Sequence, residues 1–225
     1  MTGHVTAQLR AFASLVLVCL LAGCASEAPM DYTTFRQSAP RSILVLPPIN
    51  ESNDVAGTYS YLSTVTMPIA ELGYYVFPVA VMTELFNQNG VTQATEIQQI
   101  PLAKLREITG ADAVLYPVLH AYGSKYVIVD SVSIVSVSAR LVDAKTGAIL
   151  WQGSAKQELS ANGKQNNSNN ANPYSVAAQL IGALVSQVVN AKTDPSHHLA
   201  QQVNIDLIQS QQTGFIAGPY RLPAH

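Results

Sequence analysis

The sequence predicts a single layered α/β (α+β) domain: a mixed β-sheet with a long β-hairpin and packed helices. Three observations lead there. Over residues 42–123, short apolar runs punctuated by Pro and Gly alternate with stretches of helical spacing. Over 125–159, period-two alternation flanks one turn, Asp143-Ala-Lys-Thr-Gly147. Beyond residue 173, apolar residues return to helical spacing.

Each element has its own warrant. SILVLPP (42–48) is an apolar run closed by two prolines, which suits a buried strand whose ladder stops at Pro47. Asn50, Ser52, Asn53 and Asp54 form a turn cluster. Tyr61, Leu62, Val65, Ile69 and Leu72 are helically spaced within 58–72, and Pro68 is expected to kink or split that helix. Gly73 ends it, and YYVFPV (74–79) reads as the next strand. Residues 80–88 read as a second helix, stopped by Asn89-Gly90. PLAKLREITG (101–110) is a third, with Pro101 at its start and Gly110 at its end. Residues 111–123 form a strand that Pro117 assigns to an edge or a bulge.

KYVIVDSVSIVSVSARLVD (125–143) is the longest β signal. Val135, Val137, Ala139 and Leu141 define one face, while Ile128, Val132 and Ile134 sit on the opposite parity. That switch calls for a bulge, a break or burial on both faces. Gly147 supplies the positive φ of the turn into the return strand 148–159, where Ile149, Trp151 and Ala155 share a face. Trp151 is expected in the core. Residues 160–172, rich in Asn and Ser, read as a flexible loop. Asn172-Pro173 starts a helix over 174–191 carrying Ala177, Ile181, Leu184 and Val188, and a last helix covers about 195–209. The tail, with two Gly and two Pro, is expected to be extended.

The N-terminus reads as an address. Arg10 is followed by AFASLVLVCLLA (11–22), twelve apolar or small residues. At ~1.5 Å per residue this run does not span a ~30 Å hydrocarbon core, and it suits an export signal. It closes with Leu21-Ala22-Gly23-Cys24, which resembles the bacterial lipoprotein cleavage box: cleavage between Gly23 and Cys24, then lipidation of Cys24. Ala25 and Ser26, rather than Asp, follow the cysteine, a pattern that resembles outer-membrane lipoproteins. The expected layout is a signal peptide (1–23), a lipidated tether (24–40), the α/β domain (41–192), and a C-terminal helix and extended tail (193–225).

Composition narrows the chemistry. Of the two cysteines, Cys19 falls in the signal and Cys24 at its end, so the body has no thiol for a zinc ribbon, a disulfide or a nucleophile. Net charge of −2 gives no basic field for nucleic acid. Charged residues are 12%, about half the usual share, so Ser, Thr, Asn and Gln carry much of the polarity.

Three passages carry a family resemblance: RSILVLPPINESNDVAGTYSYLSTVTMPIAELGYYVFPVA, IPLAKLREITGADAVLYPVL, and SARLVDAKTGAILWQGSA. Together, over about residues 40–190, they resemble a proteobacterial lipoprotein family of the neisserial surface-antigen type, a domain of unknown function. The layout also resembles the N-terminal domain of the TolB translocation protein. It resembles, too, the periplasmic domains of the curli secretion lipoprotein and of a lipoprotein that activates a penicillin-binding protein. Shared features are the strand ending near Pro47, the GADAVL strand, and Asp143, Thr146, Gly147 and Trp151 of the hairpin. The resemblance implies a small domain used for binding and assembly, and no catalytic residues.

No catalytic string is present: neither G-x-S-x-G, Walker A, HExxH nor G-x-G-x-x-G occurs. His197-His198 are adjacent and so diverge by ~100° on a helix, a poor arrangement for one metal. His120 stands alone in a β run, where a hydrogen-bonded or surface role is expected. No metal or cofactor is expected. Tyr supplies ten of the sixteen aromatics, which suits both core boundaries and interfaces. The NESNDVAGTYSY segment suits a helix cap or a partner contact, with Asn50, Asn53, Tyr59 and Tyr61 as contact residues.

The expectation is a non-catalytic, membrane-anchored lipoprotein on the periplasmic face of the outer membrane. It would contact the bilayer through acylated Cys24, bind an envelope protein partner of a secretion or cell-surface machine, and form homo-oligomers, with no nucleic-acid role. A surface antigen or adhesin, and less so an envelope glycan or peptidoglycan hydrolase, are the alternatives.

Overall fold

The computed structural model describes residues 30–127, 130–160, 165–167 and 195–221. Cys24 and Gly23, the helix expected over 174–191 and most of the Asn-rich loop lie outside those residues. Strands β1 (Ser42–Val45), β2 (Ile49–Asn50), β3 (Tyr75–Val76), β4 (Ala113–Val127), β5 (Asp130–Asp143), β6 (Ile149–Ser160) and β7 (Gln165–Asn167) form one mixed sheet. Its order is β3-β1-β4-β5-β6-β7, with β2 also on β4. The β1, β2, β3 and β4 pairings are parallel, as their helical crossovers require, and β4 to β7 run antiparallel. The mixed sheet, long hairpin and packed helices are those the sequence predicts.

Helices cover the sheet in two groups. On one face, α3 (Val79–Gln88), α4 (Ala94–Ile97) and α5 (Leu102–Thr109) bury Met82, Phe86, Ile97 and Leu105 against Leu44, Leu46, Val114, Tyr116 and Val142. On the other, α2 (Ala56–Glu71) and α6 (Pro195–Gln209) pack on each other, and α6 packs on β5 and β6. There Val65, Ile69, Leu199, Val203 and Ile208 are buried with Val135, Val137, Leu141 and Trp151. No helix among the described residues is long and apolar enough to cross a membrane.

Several expectations change. Residues 125–143 are not one strand: β4 ends at Val127 and β5 begins at Asp130. Val132 and Ile134 remain half-buried on the face opposite Val135, so no bulge in β5 re-aims them. Pro117 lies inside the central strand β4, not at an edge. It falls where the parallel ladder is already open, between the Val45–Leu115 pair of β1 and the Ile49–Val118 pair of β2. Gln98 closes the opening by donating its side-chain N–H groups to the Pro47 carbonyl (2.9 Å) and the Pro117 carbonyl (2.8 Å). The α2 helix passes unbroken through buried Pro68. As expected, Pro101 stands at the start of α5, as its cap, and Gly110 ends it in the left-handed region. Residues 165–167, within the expected loop, pair with β6 as β7.

Two flanking segments pack onto the sheet. A helix, α1 (Thr33–Ser38), occupies the expected tether, and its Phe35 is fully buried. The C-terminal segment is no appendage: Phe215 packs edge-on against Trp151 at 4.7 Å, Phe35 at 5.8 Å and Tyr74 at 6.2 Å. Three aromatic tips hold the tail by its backbone. Trp151 Nε1 donates to the Thr213 carbonyl (2.5 Å), Tyr32 Oη to Gly214 (2.6 Å) and Tyr74 Oη to Ile216 (2.7 Å). Each ring buries apolar area while its polar edge satisfies a carbonyl that secondary structure leaves open.

Candidate functional site

The turn cluster Asn50–Asp54 folds on itself. Asn50 Oδ1 accepts from Ser52 N (2.9 Å) and Ser52 Oγ (2.6 Å), and Asn50 Nδ2 donates to the Asp54 carbonyl (2.9 Å). Asp54 Oδ1 then accepts from Ala56 N (2.9 Å) at the start of α2. Asn50, half-buried, thus spends its side-chain amide on bracing the turn. Tyr61 is also displaced from the contact set: it is fully buried, its hydroxyl has no partner, and burial pushes that hydroxyl far above its ordinary range.

What the turn presents is Asn53, Val55 and Tyr59. Asn53 is exposed, Val55 is 83% exposed and Tyr59 is 73% exposed. Val55 and Tyr59 are four residues apart at the helix start and so share a face. Gly57 makes this corner possible. A side chain there would meet Leu119 Cδ2 at 2.8 Å and Tyr122 Cβ at 2.9 Å, so only glycine lets the first turn of α2 press onto β4.

Beside the corner lies a cluster that spacing alone does not reveal. The register of β4 on β5 shifts between Leu119 and Ala121, which sets His120 out of the ladder. Glu51 N donates to the Leu119 carbonyl (2.9 Å), which brings the Glu51 side chain alongside. His120 Nδ1 lies 2.7 Å from Glu51 Oε2, and His120 Nε2 lies 2.7 Å from Ser138 Oγ. A carboxylate, imidazole and hydroxyl in that order can fix a tautomer and withdraw a proton from the hydroxyl. The setting is wet, however: His120 and Glu51 side chains are 43% and 54% exposed. The sequence offered His120 but neither partner, since Glu51 sits in the turn cluster and Ser138 is one of several alternating serines.

Next to Ser138, the uncovered part of the sheet forms a shallow cavity of about 600 Å³ lined by Tyr116, Val118, Arg140, Gln152 and Ser154. The Arg140 guanidinium stands 5.0 Å from the Tyr116 ring centroid. His197 Nδ1 lies 2.9 Å from Ser60 Oγ and ties α6 to α2. Among the described residues, no three His, Cys, Asp or Glu side chains converge to hold a metal.

The chain belongs to the GNA1162-like lipoprotein family, described as "Putative lipoprotein GNA1162-like", which it matches over residues 30–220. It is therefore one of a family of lipoproteins, a membrane-anchored class of the cell envelope. It is 43% identical over 208 residues to the "Putative lipoprotein NMB1124/NMB1162" of Neisseria meningitidis serogroup B, covering 91% of this chain and 93% of the other. The crystal structure of lipoprotein GNA1162 from Neisseria meningitidis is 47% identical, with a TM-score of 0.52, covering 68% of this chain and all of that one. The PelC dodecamer from Paraburkholderia phytofirmans aligns at 17% identity and a TM-score of 0.38, over 65% of this chain and 85% of its own. At that distance it says nothing of this chain's assembly.

Proposed function

We propose that the protein is a non-catalytic lipoprotein, anchored through acylated Cys24 in the periplasmic leaflet of the outer membrane, that binds a protein component of an envelope assembly or secretion machine. The observation that carries this reading is the corner: Val55 and Tyr59 stand outward on a turn and helix that are internally braced. Exposed apolar residues on a rigid support suit a partner that removes them from water. LAGC at 21–24, followed by Ala25-Ser26, supports the anchor and the outer membrane. Self-association through the same corner belongs to this reading as one form of partner.

The test uses the full chain in its native membrane. Cys24→Ala should leave the protein unprocessed or released from membranes, and a processed, membrane-retained variant contradicts the anchor. A photo-crosslinker at Tyr59 should trap a discrete protein adduct that a crosslinker at Ser154 does not. Absence of any adduct contradicts the binding role.

The Glu51–His120–Ser138 relay favours one second reading, a serine hydrolase of envelope esters. A fluorophosphonate probe tests it: labelling abolished by Ser138→Ala would establish the hydrolase and overturn the non-catalytic reading. No labelling removes it.

A further inference from the structure

The two ends of α2 differ in what surrounds them. The corner of Val55 and Tyr59 lies at its start. Its last residue, Glu71, lines a cavity of about 630 Å³ with Leu72, Tyr32, Arg36, Phe215 and Arg221. The chain enters the fold at this second end, because Asp31 and Tyr32 lead into α1. Only seven residue-to-residue steps separate Cys24 from Asp31. Fully extended at ~3.3–3.6 Å each, they reach about 25 Å at most. A lipid on Cys24 therefore holds this end of the domain close to the bilayer surface.

The side chains at this end suit that surface. Arg36, Arg41 and Arg221 are all exposed. Among the described residues, none has a carboxylate within ion-pair distance. The neighbouring acids are engaged otherwise. Glu71 Oε2 accepts from Gln209 Nε2 (2.7 Å), Asp31 Oδ1 from Thr33 N (2.9 Å), and Asp112 Oδ2 from the backbone N–H groups of Arg41 (2.9 Å) and Ser42 (3.1 Å). Two of the guanidiniums lie over tyrosines: Arg36 over Tyr32 at 6.0 Å and Arg41 over Tyr220 at 5.5 Å. Guanidiniums pair with phosphate oxygens in a fork, and tyrosines settle at the headgroup level where one side is apolar and the other wet.

We propose that this end of the domain docks on the membrane that carries the Cys24 lipid, with Arg36 and Arg221 taking phospholipid phosphates at the cavity and Arg41 and Tyr220 flanking it. The inference rests on the lipid-anchor reading. It sets an orientation: at ~1.5 Å per residue, the Val55–Tyr59 corner stands about 18–24 Å along α2 from the docked end.

The test takes the mature lipidated chain, whose body has no other thiol, with a single cysteine placed at Gln212 or at Asn53 and labelled with a fluorophore. The proteins are reconstituted into phosphatidylcholine vesicles with and without phosphatidylglycerol, with headgroup-spin-labelled lipid as quencher. Quenching should be strong at 212 and weak at 53. The docked population should fall about fivefold for each arginine removed in Arg36→Gln and Arg221→Gln, and the fall should shrink without phosphatidylglycerol. Equal quenching at 212 and 53, or indifference to both arginines, overturns the docking while co-flotation with vesicles leaves the anchor standing. A wild-type chain that fails to co-float overturns the anchor and the docking together.

Discussion

The two ends of α2 are built on opposite plans. At the end near Glu71, four aromatic rings from α1, the β3 approach, β6 and the tail interlock, and the polar edges of Tyr74 and Trp151 fasten the tail backbone. At the end near Ala56, polar side chains brace a turn whose apolar residues face outward. The first end gains stability from burial and joins segments more than a hundred residues apart. The second keeps little buried at its tip and depends on backbone geometry. A domain so divided can be held at one end and remain available at the other.

Substitutions should separate the two plans. Phe215→Ala removes the ring at the centre of the aromatic cluster and should cost about 3–5 kcal/mol in denaturant unfolding. A loss under about 1 kcal/mol would mean that the tail is not part of the core. Gly57→Ala, with contacts under 3 Å to Leu119 and Tyr122, should cost about 1–3 kcal/mol by overpacking. It should also weaken partner crosslinking at Tyr59, because the corner moves with the helix start.

A third prediction concerns acid. Burial alone would raise the Asp143 carboxyl, but hydrogen bonds from Ser38, Thr146 and Lys145 outweigh it and hold the group below its ordinary value of 3.8. A lowered folded-state value means stability that is present above the ordinary carboxylate range and lost as pH falls through the folded-state value. Asp143→Asn should therefore flatten the part of the acid limb below about pH 4 in a series of unfolding curves. An unchanged limb would contradict the assignment. Asp206 works the other way, because burial raises it despite the hydrogen bond from Gln157.

The smallest stability effect belongs to the corner. Val55→Ser with Tyr59→Ser should stay within about 0.5 kcal/mol of the parent chain, since both side chains are exposed. The same pair should remove most of the captured partner. A large destabilisation with capture intact would reverse the roles given to the two ends.

Much of this plan was legible in local sequence. Periodicity and punctuation located α2, α3, α5, α6 and the β5–β6 hairpin, and Gly147 takes the expected positive φ of 77°. What escaped depends on partners distant in sequence. Phe35 and Phe215 lie in segments with little periodicity and become core only when Trp151 and Tyr74 meet them. Pro117 argued for an edge or a bulge because a ladder donor was missing; β4 is central, its register shifts at Leu119–Ala121, and Gln98, nineteen residues away, donates to the Pro117 carbonyl. Tyr61 and Tyr59 look alike in sequence, yet helical phase turns one inward and the other out. The His120 relay required the register shift that no spacing rule announces.

The most direct measurement places a photo-crosslinking residue at Tyr59 and, separately, at Tyr220 of the lipidated protein in its native membrane. Position 59 should give a protein adduct and position 220 lipid adducts. Lipid adducts from 59, or a protein adduct from 220 with none from 59, would contradict the roles given to the two ends.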